Sequence, residues 1–241
     1  MQYSDFHIYR MGADAWGIQW AYAPSRELLQ FLLAVKEQLS KTFEVEIIHT
    51  YTEILLKNVV VTISENELKD RFREIIKTTQ PQPSQKPKIH HIPVCYNPSL
   101  GEDIETYTKA TSLTIDQLIE IHTKPLYTVY FMGFLPGFPY LEGLDERLYL
   151  ERKAIPSQKV RQGSVAIGGK QTGIYPQDSP GGWYTIGHTP IKLFDVTREK
   201  PSLCTAGDYI KFYAIDLQEH QRLLKEALAS NVLPTTEVYE G

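Results

Sequence analysis

Cysteine is nearly absent from this chain, with two residues, Cys95 and Cys204, in 241. A disulfide-stapled scaffold is excluded at that density. A single Cys95–Cys204 bridge stays open, although isolated buried thiols fit better. An excess of one charge sign is lacking too. The formal net charge is −4, which argues against a nucleic-acid binder working through a strong basic field. No apolar run approaches the roughly 18 residues of a membrane-spanning helix. The opening MQYSDFHIYRMG has neither the basic nor the apolar region of a secretory signal. Together these features predict a cytoplasmic protein.

Complete catalytic signatures are missing as well. Gly163-SVAI-Gly168-Gly169-Lys170-Gln171 approaches a phosphate loop, but Gly169 intervenes between the motif's second glycine, Gly168, and Lys170, and glutamine follows the lysine. A true loop has Lys directly after Gly, then Ser or Thr. The residues between the glycines read as an apolar strand ending in a tight turn. Ser179 lies outside any G-x-S-x-G elbow. It sits in either a turn or a loop that meets a ligand. His90 and His91 are strand neighbours pointing to opposite faces, with no third ligand at a useful spacing, so no metal site is expected. His122 ends a predicted helix. A lone histidine there is usually structural, although its titration range suits proton transfer if it faces a pocket.

What is present is concentrated between Tyr127 and Trp183. YTVYFMGFLPGFPYL is followed by GGKQTGIYPQDSPGGW. Glycine permits positive φ and close backbone approach, and proline fixes φ. With interleaved aromatics they suit a shaped, concave binding surface. Arg152, Lys153, Lys159 and Arg161 cluster between the two segments. They form a solvated face or, beside a pocket, attract a carboxylate or phosphate, for which Arg is the better bidentate partner.

The stretch TTQPQPSQKPK, Thr78–Lys88, marks a composition break with polyproline character. Boundaries follow: an α/β domain over 1–80, a linker over 81–88, a mostly-β domain over 89–230 and a frayed tail over 231–241. In the first domain, strands are expected at Phe6–Arg10, Ala15–Ala21, Phe43–His49 and Glu53–Ile63. One helix follows Ser25, with Leu28, Phe31, Leu32, Val35 and Leu39 at helical spacing. A second opens at the Ser64–Glu67 capping box and carries Leu68, Phe72, Ile75 and Ile76. This is an α+β sandwich with helices on one face. In the second domain, strands are expected at Ile89–Cys95, Leu126–Met132, Val165–Ile167, Ile191–Phe194 and Tyr209–Tyr213. Capping boxes at Thr114/Gln117 and Asp216/Glu219 open helices, the last carrying Leu223, Leu224 and Leu228. Many short strands between turns predict a closed barrel.

Taken with IGHTPIKLFD and AGDYIKF, these motifs resemble the KipI / allophanate hydrolase subunit 1 family, also called the PxpB component of 5-oxoprolinase. The resemblance spans nearly the whole chain and is strongest from Ile92 to Phe212. It implies a ferredoxin-like α+β domain followed by a cyclophilin-like barrel. It also implies a hydrolase component, inactive alone, in an assembly that opens 5-oxo-L-proline to L-glutamate using ATP with magnesium. The implied partners are a KipA/PxpC-like component, sharing the phosphorylating role, and a LamB/YcsF/PxpA-like component. The site residues carried over are His122, Arg152 and Gln171 as catalytic or polar contacts. Phe134, Pro136, Gly137, Phe138, Thr172, Tyr175, Ser179, Gly181, Gly182 and Trp183 would line the groove. The family pattern departs at Arg161-Gln162, usually Pro-Ala, and at Glu53, usually a small hydroxyl residue. The same resemblance carries two alternatives: inhibition of a sporulation-type sensor histidine kinase, and one component of an allophanate or urea-amide hydrolase. A prolyl isomerase follows from the barrel alone and has the weakest warrant.

Overall fold

A computed structural model describes residues 3–60, 62–80, 86–229 and 232–240. The chain divides into two compact units, residues 1–86 and 87–241. Most of the linker expected over 81–88 lies outside the described residues, and Lys88 already belongs to a strand.

The first unit runs β1 (Phe6–Met11), β2 (Ala15–Trp20), α1 (Arg26–Thr42), β3 (Glu46–His49), β4 (Glu53–Lys57) and α2 (Glu65–Thr78). The strands form one antiparallel sheet in the order β1-β2-β4-β3. Alternation along each strand sends Ile8, Trp16, Ile18, Trp20, Ile54 and Leu56 to one face. There they bury against Leu28, Phe31, Leu32, Val35 and Leu39 of α1 and Leu68, Phe72 and Ile76 of α2. The Ser25 hydroxyl caps α1 by accepting from the Leu28 N–H at 3.1 Å. Ser64 caps α2 likewise through Glu67 N–H at 3.3 Å, while the Glu67 carboxylate pairs with Arg71. The β2–α1–β3 connection spans β4, a split βαβ unit. The chain order is ββαββα, which differs from the βαββαβ order of a ferredoxin-like fold. The strand expected to reach Ile63 stops at Lys57, because Asn58 adopts φ 60° and turns the chain. Glu53 accepts a hydrogen bond from the Tyr9 hydroxyl across the sheet. That bond pushes the Tyr9 pKa up to about 12.

The second unit contains β5 (Lys88–Val94), α3 (Ile104–Thr111), α4 (Ile115–Thr123), β6 (Tyr127–Met132), β7 (Pro139–Glu142), β8 (Ser157–Val160), β9 (Ser164–Gly168), β10 (Gln171–Ile174), β11 (Ser179–Gly181), β12 (Tyr184–His188), β13 (Tyr209–Ala214), α5 (Leu217–Ala229) and β14 (Thr236–Val238). Eight strands pair in the order β12-β9-β10-β7-β6-β13-β5-β14, and β8 and β11 form a separate ribbon. The sheet closes on itself just past β5. There Cys95 and His188 exchange backbone bonds of 2.9 and 3.0 Å, joining β5 to β12 and making a barrel. Its interior packs Ile92, Val94, Tyr127, Val129, Leu141, Val165, Ile167, Ile174, Ile186, Ile210 and Phe212, with Tyr107, Leu118 and Ile121 from α3 and α4. The Thr114–Gln117 capping box is complete.

Two expectations need correction. Ile191–Phe194 is not a strand: only Phe194 forms a bridge, to Ser202, and the segment is a loop folded on itself. Pro190 removes a ladder donor at its start. The tail expected over 231–241 holds a strand within its described residues, because β14 pairs antiparallel with Lys88–His90 of β5.

Candidate functional site

Strand alternation decides which candidate residues share a surface. In β9 and β10, Val165, Ile167, Thr172 and Ile174 point into the barrel. Ala166, Gly168, Gln171 and Gly173 point outward. Aromatic rings rest directly on this outer face. A Cβ on Gly168 would lie 2.4 Å from the Trp183 ring, and one on Gly173 would lie 3.0 Å from the Phe138 ring. Only glycine admits that approach.

The result is a second, smaller apolar cluster outside the barrel: Phe138, Val160, Ala166, Tyr175 and Trp183, with Leu135 and Tyr140 against it. Phe138 stands edge-on to Tyr175 at 5.2 Å and to Trp183 at 5.5 Å. Tyr140 lies 5.9 Å from Trp183 and stacks on Phe131 at 4.4 Å. Phe138 and Trp183 are buried, so they support the surface rather than form its open wall. The open wall is Phe134, which is 60% exposed. Phe134 sits at φ 66°, a region non-glycine residues rarely enter. It leans edge-on toward Phe138 and Tyr175. Pro136 is exposed beside it, and Gly137, at φ 82°, packs against Phe194.

Charge at this surface comes from Arg152, whose guanidinium lies 5.6 Å from the centre of the Trp183 ring. The rest of its cluster is spoken for. Lys153 is bonded to Asp103 at 2.8 Å and to Ser157 at 2.7 Å. Lys159 pairs with Asp178 at 2.8 Å and Arg161 with Glu102 at 3.0 Å. Among the described residues Arg152 has no acidic partner. Its segment is pinned in place by the Lys153 N–H, which donates to the Gly182 carbonyl at 2.8 Å. Burial pushes the Tyr175 pKa up to about 12, offset in part by a hydrogen bond with the Trp183 backbone and, less, by Arg152. Gly181 also lies close against the Tyr175 hydroxyl. Ser179 stands in the β8–β11 ribbon with its hydroxyl closed off and unpartnered among the described residues.

His122 and Thr172 do not belong to this surface. His122 is fully buried and stacks on Phe212 at 4.7 Å inside the barrel. The Thr172 hydroxyl donates to the Ala166 carbonyl at 3.1 Å and so accepts from His122 Nε2–H at 3.0 Å. Nδ1 is then the acceptor, taking the Tyr96 hydroxyl at 2.7 Å. Both ring nitrogens are engaged, and burial lowers the pKa to about 3. The catalytic role expected of His122 is corrected to that of a neutral core residue. Thr172 serves it from the inner face, while Gln171 faces outward. The register that pairs Thr172 with Leu141 sets Gln171 beside Glu142.

The Gly163–Gln171 near-match does not fit a phosphate cradle, because β9 runs through it and its amides are committed to ladders with β10 and β12. Among the described residues, no three His, Cys, Asp or Glu side chains gather in a metal-holding group. No helix of the described residues is long and apolar enough to cross a membrane. A cleft of about 200 Å³ lined by Leu113, Gln117, Glu120, Ile121, Lys124 and Arg147 shares no residue with the aromatic surface. Sequence reasoning missed Tyr140. Its period-two spacing from Phe138 was the available signal.

An exterior aromatic platform on the barrel carries an arginine that has no acidic partner among the described residues. Residues 6–204 match the carboxyltransferase domain, subdomain C and D, and the chain belongs to that family. The B component of the Bacillus subtilis 5-oxoprolinase is 42% identical over 140 residues, covering 58% of this chain and 58% of that one. The B component of the Haemophilus influenzae 5-oxoprolinase is 50% identical over 121 residues, covering 50% of this chain and 57% of that one. The chain thus spans somewhat over half the length of these curated relatives. The crystal structure of the Kluyveromyces lactis urea carboxylase shares the mixed α/β fold, with a TM-score of 0.81 over 97% of this chain and 24% of that one. At 16% identity that likeness concerns the fold alone.

Proposed function

We propose that this chain is the B component of an ATP-dependent 5-oxoprolinase, which hydrolyses 5-oxo-L-proline to L-glutamate. The observation that carries the reading is Arg152, a guanidinium seated on Trp183 beside an exposed aromatic, with no acidic partner among the described residues. 5-Oxoproline is a flat five-membered lactam bearing one carboxylate. Arg152 takes the carboxylate as a charge-assisted, bidentate partner. Phe134 and Tyr140 cover the ring, and Gln171 offers an amide to the lactam amide. The names of the family relatives support the substrate class. Opening an unstrained lactam needs an activated amide, and the described residues offer no phosphate cradle to supply one. ATP and magnesium serve the assembled complex, in which a KipA/PxpC-like partner shares the phosphorylating role and a LamB/YcsF/PxpA-like partner takes part in ring opening. The Arg152 surface is half of a site that the partners complete.

The test is reconstitution with the two partner proteins, measuring ATP hydrolysis that depends on 5-oxo-L-proline. A charged hydrogen bond contributes about 1.5–3 kcal/mol, so Arg152→Ala should lower kcat/KM by roughly ten- to a hundredfold. An assembled three-component preparation with no 5-oxoproline dependence refutes the function. Full activity in Arg152→Ala refutes the role of the arginine.

A further inference from the structure

The loop between Thr189 and Cys204 is bonded tightly around one side chain. Asp195 is 5% exposed. Its carboxylate accepts from the Thr197 hydroxyl at 2.7 Å and the Thr197 N–H at 3.0 Å, and it pairs with Lys192 at 3.0 Å. These bonds hold it well below the usual carboxylate range. Backbone bonds close the loop: Asp195 N–H to the Pro201 carbonyl at 2.9 Å, Leu203 N–H to Leu193 at 2.8 Å and Arg198 N–H to Asp195 at 3.2 Å.

Within this frame Arg198 donates Nη1 to the Lys192 carbonyl at 3.1 Å. Its Nε and Nη2 are closed off from solvent and have no partner among the described residues. These two N–H groups lie on the same edge of the guanidinium. That edge is the fork that meets two oxygens of a carboxylate or phosphoryl group. A buried donor without an acceptor carries an uncompensated desolvation cost. Two on one edge of a cation, in a loop this firmly bonded, set a fork of the shape that matches an oxyanion. Asp195, the buried acid of the same loop, has its oxygens already committed to Thr197 and Lys192. The position is also informative. Phe194 of the same loop packs on Gly137, at the base of the turn that carries Phe134.

We propose that the Nε/Nη2 edge of Arg198 is an oxyanion-binding site, in the loop whose Phe194 packs on Gly137, taking a carboxylate or phosphoryl group. Held away from water, the anion gains stronger charged hydrogen bonds than a surface arginine offers. Its use as a second anion site beside Arg152 in the lactam reaction rests on the function proposed above. Oxyanion binding itself does not.

The test follows the arginine Nε–H signals of the full chain by NMR while inorganic phosphate or 5-oxo-L-proline is added. Arg198→Lys, or Arg198→Gln should the first fail to fold, identifies the Arg198 signal by its loss. The site is supported if one probe shifts that signal to saturation and the variant binds that probe at least tenfold more weakly. A response to phosphate alone assigns a phosphoryl site, and one to 5-oxo-L-proline alone a carboxylate site. The proposal is overturned if neither probe moves the signal, or if the variant binds as the wild type does. If the assembled components show no 5-oxoproline-dependent ATP hydrolysis while the Arg198 response persists, the proposed function fails and this site stands.

Discussion

Thr172→Val separates a structural His122 from a catalytic one. The substitution keeps volume but removes the hydroxyl that joins His122 Nε2–H, at 3.0 Å, to the Ala166 carbonyl, at 3.1 Å. His122 is fully buried, so no water can replace the lost acceptor without opening the core. Leaving a buried donor unsatisfied costs about 1–3 kcal/mol. For a domain of this size each kcal/mol shifts the melting temperature by about 2–4 °C. The melting temperature should therefore fall by roughly 2–12 °C, and the urea midpoint should fall at an unchanged m-value. Ligand binding measured well below the transition should survive. Unchanged stability, or binding lost while stability is kept, would rule out a purely structural His122. The second outcome would return His122 to the functional site.

Other expectations follow from the same structure. The His122 pKa is lowered to about 3 by burial, against an unfolded value near 6.5. The unfolded chain therefore binds the extra proton between those values. The stability this group contributes is complete above about pH 6.5 and falls as the pH drops, by up to about 1.4 kcal/mol per unit. Denaturant midpoints taken from pH 7 to pH 4.5 should show that slope in the wild type and a shallower one in His122→Phe; parallel curves would exclude His122 as the source. Gly168→Ala places a methyl 2.4 Å from the Trp183 ring. Overpacking of this kind costs about 1–3 kcal/mol, and tryptophan emission should move to the red as the indole is lifted. An unchanged spectrum and melting temperature would mean that the ring is not seated there.

Much of the scaffold is legible in the sequence because its signals are local. Thr114 with Gln117, and Ser25 ahead of an apolar stripe, each mark a helix start that the structure retains. Helix α3 has no such signal, because Asp103 makes no capping bond to it. Its carboxylate is drawn instead to Lys153 and the Thr185 N–H, which are distant in sequence. Strand β14 reads as fraying because it is short and exposed, and only its pairing with β5 makes it a strand. At the site, the two Gly/Pro/aromatic segments announce themselves by composition, and the fold sets Phe138 of one against Tyr175 and Trp183 of the other. Which of two adjacent residues, Gln171 or Thr172, faces that surface depends on register, which composition does not encode. The orphaned edge of Arg198 depends on a whole loop closing around it and leaves no trace in the sequence.

The seam of the barrel has a consequence of its own. The edge of β5 is shared by two neighbours arriving from opposite ends. Cys95 meets β12 beyond one end, and β14 covers Lys88–His90 at the other. The Thr235 carbonyl and the Tyr239 N–H extend that cover to His91 and Pro87. Strand β14 is thus a guard against self-association. A protein lacking it would present a row of open backbone donors and acceptors along β5, the template on which copies pair edge to edge.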